Sequence, residues 1–425
     1  MREMKDSGIE WIGEIPKDWT VLPIKYVFNI NRGRVISVLH LVENGKYPVY
    51  SSQTENDGCF GYLNTYDFEG PAITWTTDGA KAGSVFYRDG RYNCTNVCGI
   101  LQLKESYNDL NLYFATYAIA VVAQQNKRYD INGFKIMSNE MARIKFAIPN
   151  IVEQQQIADY LDSKCSEIDA TAEDIQKEIS LLEDYKKSVI TEAVTKGLNP
   201  DAEMKDSGIE WIGEIPKITH ILDYTHPYPI GDGDHGTIKA ENYSEEGIPF
   251  IRVQNLGFAT ELIMNNVVYI TEKQNNGIIN STLYPNDILF AKTGATIGKV
   301  GIMPENIKKA NTTSHVGKIT VSEEVVPKFI FYVLSSFIGY KQFWDIALMK
   351  STRPELSIDD IKTLHVLLPK TIVEQQQIAD YLDSKCSEID TLIADKKRQL
   401  DILADYKKSL IYEYVTGKKE VPVNE

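Results

Sequence analysis

The chain has 425 residues, enough for two or three domains, and its 43% hydrophobic and 24% charged content excludes a disordered polymer. Its longest apolar run, Tyr117–Ala123, is too short to cross a bilayer, and MREMKDSGIE lacks the apolar core of a signal peptide, so a cytoplasmic protein with no membrane partner is expected. The net charge of −14 lies mostly outside two stretches, 18–150 (13 Lys/Arg, 12 Asp/Glu) and 218–371 (14 and 16), so global acidity neither excludes nor supports DNA binding there.

In chain order the first feature is a box, MKDSGIEWIGEIPK, at Met4–Lys17, which recurs letter for letter at Met204–Lys217. A longer run, IVEQQQIADYLDSKCSEID, stands at Ile151–Asp169 and again at Ile372–Asp390. The order is therefore box, variable stretch, long repeat, twice over. This divides the chain into 1–150 (a variable domain with box 4–17), 151–197, 198–371 (linker, box 204–217 and second variable domain), 372–417 and a tail, 418–425.

Each long repeat opens with a helix-start signal, Asn150-Ile-Val-Glu153 and Thr371-Ile-Val-Glu374, in which a polar cap and a Glu can satisfy free backbone N–H groups. Each ends near a glycine, Gly197 or Gly417. Between these signals apolar residues step by four and three: Leu161, Cys165, Ile168, Ala172, Ile175, Ile179 and Leu182. The second copy gives Leu382, Cys386, Ile389, Ile393, Lys396, Leu400 and Leu403 at a constant offset of 221. That 3.5-residue period is a coiled-coil seam on a rod of roughly 68 Å. Lys396 interrupts it, as do Lys186 and Lys407, where Tyr185 and Tyr406 are expected to take over. The simplest partner for each seam is the other copy. Antiparallel pairing is expected, because parallel pairing would require each variable domain to span the rod. Cys165 and Cys386 would then lie far apart. A seam needs only an apolar pattern, yet outward positions also recur unchanged, including Gln154, Gln155, Gln156 and Gln375, Gln376, Gln377. Two copies of one partner are expected to dock on them.

The variable stretches share anchors. Pro48-Val-Tyr-Ser-Ser-Gln53 aligns with Pro249-Phe-Ile-Arg-Val-Gln254, and Gly79-Ala-Lys-Ala-Gly83-Ser-Val85 with Gly294-Ala-Thr-Ile-Gly298-Lys-Val300. Asn93-Cys-Thr95 through Gly99 resembles Asn311-Thr-Thr313 through Gly317. Short β-branched and aromatic runs (Ala72–Thr77, Asp287–Lys292, Lys318–Val321) predict strands, and Leu110–Gln124 and Pro327–Phe343 predict helices. Two copies of one β-rich α/β domain follow.

Catalytic motifs are sparse. Gly231-Asp-Gly-Asp-His-Gly236 fits GxGxxG, but no helix signal follows it. Gly294–Lys299 lacks the spacing and hydroxyl of a phosphate loop. HExxH, GxSxG and the Asn/Asp-Pro-Pro-aromatic signature of amino-methyltransferases do not occur, and the five cysteines, an odd number, give neither a disulfide framework nor a zinc set. No catalytic or metal residue is assigned.

What remains suits base edges and phosphates: Gln and Asn for adenine, Arg and Lys for guanine, hydroxyls for phosphate. In the first half these are Ser51, Ser52, Gln53, Lys81, Arg88, Arg91, Asn93, Thr95 and Asn96. The second offers Arg252, Gln254, Asn255, Lys292, Thr293, Thr296, Lys299, Asn311, Thr312, Thr313, Ser314, His315, Lys350 and Arg353.

The repeat IVEQQQIADYLDSKCSEID with its DYKKS continuation, the box SGIEWIGEIPK, and YPVYSSQ, GAKAGSV, NCTNVCGIL, GATIGKV and NTTSHVGKI together resemble the specificity subunit of type I restriction-modification enzymes. The resemblance covers essentially the whole chain. One departure is that Asp18-Trp19 follows the first box, whereas Ile-Thr-His-Ile follows Pro216 and Lys217. The resemblance implies an α+β fold: two β-rich α/β target-recognition domains joined by two long antiparallel coiled-coil helices in a pseudo-twofold cyclic repeat. Each domain would read half of a bipartite double-stranded DNA target, with the helices setting the gap. Two methyltransferase subunits and restriction subunits would be partners. The chain would be non-catalytic and carry no cofactor, with S-adenosylmethionine, ATP and magnesium belonging to those partners. The competing expectation is a coiled-coil scaffold whose variable domains bind proteins.

Overall fold

The computed structural model describes residues 2–131, 133–199, 201, 204–206, 214–216, 229–258, 262–348, 354–366, 368–369 and 371–422. The chain divides into two compact units, Met1–Ile175 with Arg398–Glu425, and Gln176–Lys397. Each unit thus takes part of both long helices, Ile151–Lys196 and Ile372–Val415.

In the first unit an antiparallel sheet runs in the order Phe28–Arg32, Cys98–Leu103, Ala72–Thr76, Val85–Arg88. A second sheet has the order Cys59–Leu63, Tyr47–Tyr50, Arg91–Cys94, Phe68–Glu69, and its central pair is parallel. The run AITWT is buried at every position, so this strand has no solvent face and needs no polar alternation. Trp75 lies opposite Gly99, where an added Cβ would fall 2.2 Å from the indole. The helix Leu112–Asn126, capped by the Asn111 side chain on two backbone N–H groups, covers the first sheet through Phe114, Ala115 and Ile119. The same core takes in Ile157 and Leu161 of the first long helix and Leu410, Tyr414 and Val415 of the second.

The second unit repeats this plan. One sheet is ordered Ile230–Asp232, Val316–Ile319, Ile288–Ala291, Val300–Ile302; the other has three strands, Val268–Ile270, Ile248–Ile251, Asn311–Thr312, of which the last two again pair in parallel. Phe290 opposes Gly317 as Trp75 opposes Gly99. The predicted helix over 327–343 is broken at Ser336 into Pro327–Ser335 and Phe337–Leu348, because Ser336 adopts an extended backbone. Its core joins Phe290, Phe329 and Phe343 to Val189, Ile190 and Val194 of the first long helix and Leu382 and Cys386 of the second.

Within each unit the long-helix segments run in opposite directions. In the first, Tyr160 packs on Tyr414 with ring centroids 4.7 Å apart, and Lys407 Nζ donates to both carboxylate oxygens of Asp169 at 2.6 and 2.7 Å. In the second, Glu178 pairs with Lys396, and Lys186 Nζ donates to Asp390 at 2.9 and 2.7 Å. Leu161, Cys165, Ile168, Ile175, Ile179, Leu382, Cys386, Ile389 and Ile393 are buried; Leu182, Leu400 and Leu403 are half-buried. Tyr185 and Tyr406 do not take over the seam. Both are exposed, while Lys186 stays in the line, buried, because Asp390 compensates its charge.

The duplicated box forms the same hairpin twice: Met4 faces Pro16, Lys5 Ile15 and Asp6 Glu14, as Met204 faces Pro216, Lys205 Ile215 and Asp206 Glu214. The first copy lies on the end of the second long helix. Trp11 packs on Tyr412, and Lys418 Nζ donates to Glu14 O. Gly417, at φ +67°, leaves no room for a Cβ beside Pro16 Cδ, 2.3 Å away. The departure after Lys217 lies outside the described residues.

Candidate nucleic-acid interface

In the second unit the strand Ile248–Ile251 ends at Arg252, and a tight turn follows over Val253–Asn255. The turn is held by Asn255, whose Oδ1 accepts the Arg252 N–H at 2.9 Å while Nδ2 donates to Ile263 O at 2.8 Å. Beside it the parallel strand Asn311–Thr312 leads into Thr313, Ser314 and His315. Thr293 and Thr296 follow the strand Ile288–Ala291. These three connections converge: Arg252, Val253, Gln254, Thr293, Thr296, Thr313 and His315 line an open cavity of about 380 Å³. Gln254 and His315 are exposed, and the other polar members are half-buried. His315 Nδ1 and Thr293 Oγ1 are 3.2 Å apart, which orients the ring. Lys299 lies over the Phe258 ring at 5.8 Å, and Ser314 donates its N–H to Asp234 O. Lys350 and Arg353 lie outside the described residues.

Several expected contact residues are instead internal. Asn311 is fully buried, with its amide bonded to Asn275 Oδ1 and Ser281 Oγ, and Thr312 Oγ1 donates to Ile251 O at 2.8 Å. Asn255 is fully buried in its turn. Lys292 is buried against Asp232. In the first unit Asn93 is buried and donates to Thr65 O at 2.8 Å. Arg88 is also buried; it donates to Asp57 and Thr74 and lies 3.7 Å over the Tyr50 ring. Thr95 is buried, with Oγ1 donating to Ser51 Oγ at 2.9 Å. Asn311, Thr312, Asn93 and Thr95 sit in or just after the parallel-paired strands and Asn255 in a tight turn, where they bond to backbone or buried polar groups; Arg88 and Lys292 are held inward by Asp57 and Asp232.

Ser51, Ser52, Gln53 and Asn96 are half-buried and Lys81 exposed. Gln53 Nε2 donates to Cys59 O, and the Asn96 carbonyl accepts from Arg32 Nε. Arg91 is exposed; its hydrogen bond to Glu69, 2.9 Å, raises its pKa further above the usual value. Sequence reading missed Val253, although it stands between two residues that it did select. It also missed Asp78, which bridges Lys135 in the hairpin Arg128–Lys135. The GxGxxG match is explained by Gly233, where a Cβ would lie 2.1 Å from Thr312 O, as at Gly33 beside Cys94 O. Among the described residues no group of three His, Cys, Asp or Glu could hold a metal, and no helix is long and apolar enough to cross a membrane.

The glutamines expected at a partner surface divide. Gln154 is buried: it accepts the Asn111 N–H at 2.7 Å and donates to Pro149 O at 2.9 Å. Gln375, also buried, accepts the Val326 N–H at 2.9 Å. Each clamps the start of a long helix to the start of its domain helix, so neither is available for docking. Gln155, Gln156, Gln376 and Gln377 are exposed. The same junctions carry Tyr117 OH to Asp162 and Tyr332 OH to Asp383, both 2.7 Å.

The doubled scaffold has a counterpart among known families. The model of the type I restriction modification DNA specificity domain matches residues 16–181 and again 234–401. The chain belongs to the type I specificity family. Among its relatives, the specificity subunit of the type I restriction enzyme MjaVIII from Methanocaldococcus jannaschii is 26% identical over 96% of this chain and 94% of its own length. An N-terminal specificity-subunit chain of Mycoplasma pneumoniae is 43% identical over 33% of this chain and 74% of its own. A second M. pneumoniae specificity subunit is 37% identical over 37% of this chain, a match spanning about half (52%) of that relative. A solved chain from work on assembly and conformational transition of a type I system shares the fold. Its TM-score is 0.65 at 13% identity, covering 95% of this chain and 99% of that one.

Proposed function

We propose that this chain is the non-catalytic DNA-reading subunit of a type I restriction-modification enzyme. Each recognition domain reads one half of an interrupted double-stranded target. The long helices pair as an antiparallel coiled coil in a pseudo-twofold, cyclic arrangement and set the gap between the halves. Two methyltransferase subunits dock on the exposed repeated helix faces, including Gln155, Gln156, Gln376 and Gln377. Restriction subunits join that assembly, and S-adenosylmethionine, ATP and magnesium are held by the partners.

One observation carries this reading: the same parallel strand pair, in the same register, occurs twice in a chain whose two family matches are DNA specificity domains. A single short half-site discriminates weakly, at ~1–3 kcal/mol per base pair. Two readers on one body make the second contact intramolecular, so their selectivities combine.

The test is exchange of residues 18–150 for the matching stretch of a family member, with methylated adenines mapped by long-read sequencing. One half of the target should change while the other half and the gap persist. Change in both halves would overturn independent reading. Binding to duplex DNA should also fall steeply with salt, as phosphate contacts require. A protein-binding scaffold would show no such dependence.

A further inference from the structure

Backbone hydrogen bonds fix which residues of the two domains correspond. Tyr50 pairs with Cys94 and Ile251 with Thr312, so Ser51, Ser52 and Gln53 stand where Arg252, Val253 and Gln254 stand. Thr77 N donates to Val97 O as Lys292 N donates to His315 O, so Val97 matches His315 and Asp78 matches Thr293. Ser84 N donates to Lys81 O as Lys299 N donates to Thr296 O, and Cys98 N to Thr95 O as Val316 N to Thr313 O. The cavity lining of the second domain is thereby mapped, position by position, onto the first.

Two of these seven pairs are identical, Gln53 with Gln254 and Thr95 with Thr313. The other five differ: Ser51/Arg252, Ser52/Val253, Asp78/Thr293, Lys81/Thr296 and Val97/His315. The hydrogen bonds that anchor these positions recur in both domains, although Val253–Asn255 and Gly294–Thr296 form 3-10 turns that residues 51–53 and 79–81 do not; the lining side chains differ in chemistry as well. The second cavity has a guanidinium, an imidazole and hydroxyls, with no carboxylate among its lining residues. At the matching place the first domain carries the half-exposed carboxylate of Asp78, 3.9 Å from Lys135 Nζ.

We infer that these five pairs make the two domains prefer different bases, and that the second domain reads an acceptor-rich edge, that of guanine, through Arg252 and His315. A carboxylate accepts from the amino groups of cytosine or adenine and repels the O6/N7 edge of guanine, so Asp78 turns the first domain the other way. This rests on the DNA-reading function proposed above, and deepens it by assigning the positions and the base class.

The experiment uses the full chain co-expressed with its methyltransferase subunits in an unmodified host, with adenine methylation mapped genome-wide. The wild-type chain tests the function itself: absence of a bipartite motif would refute that function, not the assignment of positions. Given such a motif, His315→Val and the double variant R252S/H315V should relax one guanine of the second half-site by about tenfold or more. The first half-site and the gap should stay unchanged. His315 is exposed, so its single variant retains the fold, and an unchanged melting temperature confirms this. Asp78→Thr should relax a cytosine or adenine in the other half-site. Wild-type preference in both single variants, or a change in the half-site opposite to the one altered, would overturn the inference.

Discussion

Lys186 of the first long helix donates to both carboxylate oxygens of Asp390 on the second, and its exact counterpart in the repeat, Lys407, grips Asp169 in the same way. Both pairs are related by the offset of 221 that relates the repeats. Lys186 is 7% exposed in its side chain and Asp390 47%. Asp390→Asn leaves a buried ammonium without its counter-charge; solvent at the half-open carboxylate trims the loss to about 1–2 kcal/mol. The double variant K186M/D390A should recover most of it. Thermal melts of K186M, D390A and K186M/D390A check this, and additive losses would refute the pairing.

The glutamine clamps make a local prediction. Gln154→Ala strands the half-buried Asn111 N–H and should cost about 1 kcal/mol. Hydrogen exchange at Asn111 should accelerate, while exchange at Val326, served by Gln375, stays unchanged. Gln375→Ala should give the mirror-image result.

Gly197 and Gly417 both end long helices at positive φ, +76° and +67°. Replacing either by Ala costs about 1–2 kcal/mol for the left-handed backbone. Among the described residues only Glu374 lies within reach of a new Cβ at Gly197, at 3.7 Å, whereas at Gly417 Pro16 Cδ is 2.3 Å away. Gly417→Ala should therefore lower the melting temperature more than Gly197→Ala, and tryptophan emission should report a loosened box through Trp11 and Trp19.

Burial pushes the Cys386 thiol from its ordinary 9.0 up to about 11. A pKa raised in the folded state contributes stability that is complete below the unfolded pKa and is lost as pH rises through the folded one. Stability should thus begin to fall above about pH 9 and continue falling to about pH 11, with a shallower slope in Cys386→Ala. Denaturant melts across pH 8–11 measure it. In the folded chain, iodoacetamide should label half-exposed Cys59 ahead of buried Cys165 and Cys386.

Much of this molecule was legible in its repeats. The alignments of Pro48 with Pro249 and of Asn93 with Asn311 hold because each proline lies in the strand that pairs in parallel, at the same register, with the strand carrying the asparagine. The misreadings share one cause. Gln154 and Lys186 lie on the same 3.5-residue line as Leu161 and Ile179, seven residues before one and seven after the other. A seam line need not stay apolar: where it reaches a domain or a facing carboxylate, it buries a polar group with its partner. Reading polarity as exposure sent Gln154 and Gln375 outward and moved Tyr185 and Tyr406 inward. Extending the period would have found them. Asn311 and Arg88 were misplaced for a different reason. Their partners, Asn275 and Asp57, are 36 and 31 residues away, and no local pattern links them.

The contact between Lys418 and Glu14 spans 404 residues. Synthesis at ~5–20 residues per second separates the emergence of these two segments by about 20–80 s. The opening hairpin and its tryptophans wait through that interval without their final seat. A message cut short before codon 412 would yield a product whose first folded face stays uncovered, which marks it for chaperones and proteases before it could recruit any partner.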